Sequence, residues 1–101
     1  MNQAQMMQQL AKMQREMARV QEELANTVVE GSASGGVVTV GITGEFVVKK
    51  VSIKPEAVDP EDVETLEDLL TVALNDALGK VHALNSSKMG AVTGGLKIPG
   101  M

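Results

Sequence analysis

VVEGSASGGVVTVGITGEFVVKKVSIK, residues 28–54, is the stretch on which the fold turns. Its apolar residues alternate with small and polar ones at a period of two, which a pleated strand displays as one apolar and one polar face. Val28 to Gly31 reads as a short first strand, and Ser32-Ala33-Ser34-Gly35-Gly36 as a turn whose glycines take positive φ at no steric cost. Val37 to Thr43 reads as a second strand with Val38, Val40 and Ile42 on one face. Thr43-Gly44-Glu45 then reverses the chain into a third, Phe46 to Lys54. There Val47, Val51 and Ile53 share a face with Lys49, while Lys50, Ser52 and Lys54 point the other way. The result is a three-stranded antiparallel meander. The spacing Gly31-x-x-x-Gly35-Gly36 is only loosely that of a phosphate loop. It lacks the following Lys-Ser/Thr and joins two strands rather than a strand and a helix, so a turn is the better reading.

On either side the period changes to that of a helix. Residues 3–27 read as one long amphipathic helix, in which Met6, Leu10, Met13, Met17, Val20 and Leu24 recur at spacings of 4, 3, 4, 3 and 4. No Gly or Pro interrupts it. Downstream, Pro55 stops the sheet, and Asp59-Pro60-Glu61-Asp62 reads as a helix start with Asp59 as N-cap. Val63, Leu66, Leu70, Ala73, Leu74, Ala77, Leu78, Val81 and Leu84 form the apolar face of a second helix that reaches about residue 85, weakened at Gly79. The tail, 89–101, is glycine-rich and expected to be loosely held. The order is αβββα, an α+β protomer in which helices cover a sheet face. Its parts are a helical arm over 1–27, a sheet over 28–54, a second helix over 59–85 and the tail.

The 101 residues suffice for one domain. Phe46 is the sole aromatic, and no cysteine occurs, which excludes disulfides, thiolate nucleophiles and Cys-based metal sites. His82, the sole histidine, has no second His to complete a metal pair, and no base, nucleophile or metal set can be assembled for an enzyme. The acids from Glu56 to Asp68 favour a helix N-terminus and lack the spacing of a calcium loop. The first ten residues have no basic, continuously apolar leader pattern and no window is long and apolar enough to span a bilayer, so a soluble intracellular protein is expected.

Net charge is −4, a poor default for a nucleic-acid binder. The sign is uneven, with six basic against five acidic residues in 1–54 and three against eight in 55–101. Lys12, Arg15 and Arg19 recur on the outward side of the first helix, and Lys49, Lys50 and Lys54 cluster at the third strand. Each triplet has two readings, a solvated face or a ridge for phosphates. The seam Met6, Leu10, Met13, Met17 and Val20 is either core of the same subunit or the interface of a dimer, since so long an arm exceeds what a small sheet covers.

Taken in order along the chain, several motifs resemble the YbaB/EbfC family. They are Met13-Gln14, Gln21-Glu22-Glu23-Leu24-Ala25 and Val29-Glu30-Gly31-x-Ala33-x-Gly35-Gly36-x-Val38, then Val51-x-Ile53-x-Pro55, Glu67-Asp68-Leu69-Leu70 and Ala73-x-Asn75-Asp76-Ala77. Met89, Thr93-Gly94-Gly95 and Pro99-Gly100 complete the match, while Lys54 stands where an acid is expected. The resemblance implies a nucleoid-associated, non-enzymatic protein with protruding arms. It implies a two-fold homodimer that binds double-stranded DNA and alters its shape or compaction, in some cases affecting gene expression. It needs no cofactor, metal, membrane or small-molecule substrate, and is expected in the bacterial cytoplasm at the nucleoid. Another reading of the residues is a protein-interaction module whose methionine-rich arms hold a partner protein.

Overall fold

The computed structural model describes residues 2–93. Helix α1 (Gln3–Asn26) is followed by strands β1 (Val28–Ala33), β2 (Val38–Thr43) and β3 (Val48–Ile53), then by helix α2 (Val63–Thr93), with short 3-10 turns at Ser34–Gly36 and Pro55–Ala57. The three strands form one antiparallel sheet in the order β1-β2-β3. The α+β, αβββα architecture is therefore the one the periodicity indicates.

Paired residues of neighbouring strands share a face, so the register places Val29, Gly31 and Ala33 beside Val38, Val40 and Ile42, and these beside Val48, Val51 and Ile53. Helix α2 lies across this face over β1 and β2. Ala73, Ala77 and Val81 of α2 are buried against Ala33, Val38, Val40 and Ile42, with Leu66, Leu69, Leu70, Leu74 and Leu78 half-buried around them. The approach is close because Gly31 has no side chain. A Cβ there would collide with the Ala73 carbonyl oxygen and the Ala77 nitrogen. Two hydrogen bonds flank the contact: Lys80 Nζ donates to the Glu30 carbonyl at 2.7 Å, and the Ser32 amide donates to Asp76 Oδ2 at 3.0 Å.

Four boundaries differ from the sequence reading by two residues or more. Strand β1 runs on to Ala33, because Gly31 and Ser32 are held by α2. The turn contracts to Ser34–Gly36, with φ of 48°, 69° and 100° at Ser34, Gly35 and Gly36. Strand β3 starts at Val48, after a reversal in which the Thr43 amide donates to the Val47 carbonyl at 2.9 Å. Gly41 pairs with Lys50 and Ile42 with Val48, so Lys49 is an extra, bulged residue. The bulge corrects the face assignment: Val48, not Val47, joins Val51 and Ile53 on the helix-covered side. Helix α2 starts at Val63 rather than at Pro60. Asp59 closes a local turn, its Oδ1 accepting from the Glu61 amide at 2.9 Å, and Asp62 does the capping, its Oδ1 accepting from the Thr65 amide at 3.3 Å. Finally, α2 continues past residue 85 to Thr93. Asn85, where the pattern fades, points back to the body, its amide donating to the Gly44 carbonyl at 2.9 Å. Met89 to Thr93 are thus helical, and 94–101, the rest of the expected tail, lie outside the described residues.

Gly31→Ala should destabilise the fold by about 3 kcal/mol in urea unfolding, the upper end for overpacking, because the obstacle is backbone. Gly35→Ala meets open space and should cost only its left-handed φ, roughly 1 kcal/mol.

Candidate nucleic-acid interface

Helix α1 starts at a reciprocal cap, in which Asn2 Oδ1 accepts from the Gln5 amide at 2.8 Å and Gln5 Oε1 accepts from the Asn2 amide at 3.4 Å. Its other end is anchored. Val20 and Leu24 are buried, and the Gly44 amide donates to the Leu24 carbonyl at 2.8 Å and the Thr27 carbonyl at 3.1 Å. A Cβ on Gly44 would sit 2.7 Å from that Leu24 oxygen, so the turn must be glycine for the helix end to seat. No residue from Gln3 to Arg19 is buried. The first four turns therefore project as an arm from a molecule that measures 70 × 28 × 17 Å.

The arm displays Lys12, Arg15 and Arg19, all exposed. Among the described residues Lys12 and Arg15 make no ion pair, whereas Arg19 does. Its Nη1 donates to Glu23 Oε1 at 2.6 Å, one helical turn on. The other oxygen of the same carboxylate, Oε2, accepts from Lys88 Nζ of α2 at 3.0 Å. Lys88, through its hydrogen bond and charge, together with Arg19, holds the Glu23 carboxyl below its ordinary pKa. Glu16 and Glu22, the acids that interrupt the ridge in sequence, pair with none of it. An open cleft of about 410 Å³ at this junction is lined by Arg19, Glu22, Glu23, Asn26, Thr27 and Lys88. Lys88 was invisible in the sequence as a member of this set, because the apolar pattern of α2 fades near residue 85.

The strand triplet lies elsewhere. Lys49 occupies the bulge, Lys50 faces away from α2 beside Ser52, and Lys54 follows β3, its amide donating to the Val37 carbonyl at 2.9 Å. All three are exposed and make no ion pair among the described residues. Helix α1 packs on α2 and β2, so the two triplets sit on separate elements.

The seam divides. Val20 is 3% exposed and packs within its own subunit. Met6, Leu10, Met13 and Met17 are 53%, 57%, 39% and 39% exposed. A second apolar surface has no counterpart in the sequence reading. Val48, Val51 and Ile53 lie on the helix-covered side of the sheet yet remain exposed, because α2 passes over β1 and β2 instead. His82 meets Phe46 edge to face, ring centres 5.2 Å apart.

A sequence model of the YbaB/EbfC DNA-binding family matches residues 1–96. The chain belongs to the YbaB/EbfC DNA-binding family. It is 55% identical over 97 residues to a nucleoid-associated protein of Chloroflexus aurantiacus, covering 96% of this chain and 97% of that one. A nucleoid-associated protein of Desulforamulus reducens is 52% identical over 100 residues, covering 99% and 95%. The fold is similar to the crystal structure of an uncharacterized protein from Helicobacter pylori, with a TM-score of 0.74 at 24% identity over 96% of this chain and 99% of that one. Among the described residues no helix is long and apolar enough to cross a membrane.

The Glu23 bridge should contribute a pH-dependent part of the stability. A carboxyl whose folded pKa is lowered stabilises fully above its unfolded value and loses that contribution as pH falls through the folded one. Urea titrations should therefore show wild type and Glu23→Gln differing at neutral pH and converging at acid pH. A gap independent of pH would mean that the charge of Glu23 is immaterial to stability.

Proposed function

We propose that this chain is a nucleoid-associated protein that binds double-stranded DNA as a homodimer, mainly through the phosphate backbone, and alters the conformation or compaction of the duplex, and thereby gene expression, without catalysis. The observation that carries the reading is an arm, free of the body for four turns, that presents Lys12 and Arg15 without acidic partners among the described residues, in a chain of a DNA-binding family. Arg19 extends the ridge at the base of the arm, and Lys49, Lys50 and Lys54 supply a weaker second patch. The acidic total of −4 implies weak, strongly salt-dependent binding. Nucleoid association in the cytoplasm follows from the same reading.

The dimer is supported by the uncovered side of β3. Val48, Val51 and Ile53 continue the apolar surface that α2 buries, and β3 is an edge strand with free backbone groups along its outer side. A second copy placed against β3 by a two-fold axis covers both. Met6, Leu10, Met13 and Met17 provide a further contact where arms meet. Because those methionines are exposed, with an apolar cleft of about 300 Å³ lined by Met6, Gln9, Leu10 and Met13, a second reading is that the arms hold a partner protein.

Electrophoretic shifts of random-sequence duplexes between 50 and 200 mM salt distinguish the two. Lys12→Gln/Arg15→Gln should weaken binding to every duplex and lower the slope of log K against log salt by about 0.9 per lost contact. Unchanged affinity and slope in a folded variant would favour the partner-protein reading. In sedimentation equilibrium the wild type should be dimeric at micromolar concentration and Val51→Asp monomeric. A folded wild-type monomer would overturn the dimer.

A further inference from the structure

Glu23 stands in an unusual position for an acid in a DNA-binding helix. One carboxylate spans two cations from different helices, one per oxygen: Arg19 at 2.6 Å and Lys88 at 3.0 Å. A DNA phosphodiester offers the same elements, a single negative charge shared over two free oxygens that suit a pair of converging cations. The two cations are reachable, since the Arg19 and Lys88 side chains are 62% and 37% exposed beside an open cleft.

We infer that Glu23 is an internal competitor for the DNA backbone. Its carboxylate occupies the Arg19–Lys88 pair in the free protein, and a phosphate enters there only by displacing it. The exchange replaces one monoanion with another, so it yields little net attraction, and Glu23 holds duplex affinity down. The inference rests on the DNA-binding reading. It adds Lys88 of α2 to the surface and gives Glu23 an attenuating role, opposite to the one expected of an acid that orients cations for a ligand.

The test is anisotropy of a fluorescent random-sequence duplex from 50 to 200 mM salt, with wild type, Glu23→Gln, Glu23→Ala, and Glu23→Gln combined with Arg19→Gln and Lys88→Gln. Removing the carboxylate should strengthen binding on the order of tenfold at the lowest salt and steepen the salt slope by about 0.9 for each phosphate newly engaged. Adding Arg19→Gln and Lys88→Gln should erase the gain. Glu23 is not among the buried residues of the core, and Ala is the best helix former, so Glu23→Ala keeps the test open should the amide perturb α1. Equal or weaker binding by both Glu23 variants overturns the inference. If wild type binds and Lys12→Gln/Arg15→Gln weakens it while the Glu23 variants bring no gain, the inference alone fails. If wild type binds no duplex at any salt, the DNA-binding reading fails with it.

Discussion

The contact between Gly31 and the small face of α2 sets the geometry of the whole subunit. A strand and a helix normally stand apart by the depth of their side chains. Here a missing Cβ on β1 and the methyl groups of Ala73 and Ala77 let backbone meet backbone. That closeness buries Val38, Val40, Ile42 and Val81 almost completely. It also pins α2 over β1 and β2, and a helix held there cannot cover β3. Three apolar side chains on the core side of the sheet, each 38–50% exposed, are the direct consequence. Completing their burial is worth on the order of 1 kcal/mol each, a sizeable gain for a domain this small.

The direction of the arm depends on a second close approach, between Gly44 and the end of α1. The tight Thr43–Val47 reversal is held by the Thr43 hydroxyl, which accepts from the amides of Glu45 and Val47 at 3.2 Å each. It places the Gly44 amide where it satisfies carbonyls at the C-terminus of α1. Asn85 reaches the same turn from α2, and the Glu23–Lys88 pair ties the two helices one turn away. With its base held at these points, an uninterrupted helix carries its cations outward at fixed spacing. The backbone of such an arm is already ordered, so only the exposed Lys or Arg side chain has still to be fixed on meeting an anion.

Charge is distributed with the same local logic. The acids preceding α2 serve its turn and cap: Asp59 accepts from the Glu61 amide, and Asp62 from the amide and hydroxyl of Thr65, at 2.9, 3.3 and 2.6 Å. Asp76 and Lys80 fasten α2 to the edge of β1. Among the described residues the cations left without acidic partners are Lys12 and Arg15 of the arm and Lys49, Lys50 and Lys54 at β3.

What the sequence determined by itself is what depends on neighbours in the chain. The 3–4 spacing of Met6 to Leu24 specified a helix, the alternation in 37–54 specified strands, and Gly35-Gly36 specified a turn, because period and positive φ are local properties. The exposed Lys12 and Arg15 follow from the same period. Tertiary structure decided the rest. Gly31 reads only as the end of a short strand until α2 lies on it. The β3 bulge at Lys49, which exchanges Val47 for Val48 on the core side, arises from pairing with β2. Val20 is interior and Met6 exterior on one seam because only the base of α1 meets the body. Most of all, the meeting of the local Arg19–Glu23 pair with Lys88 joins positions 65 residues apart in sequence. No local pattern encodes it, since it exists only where two helices cross.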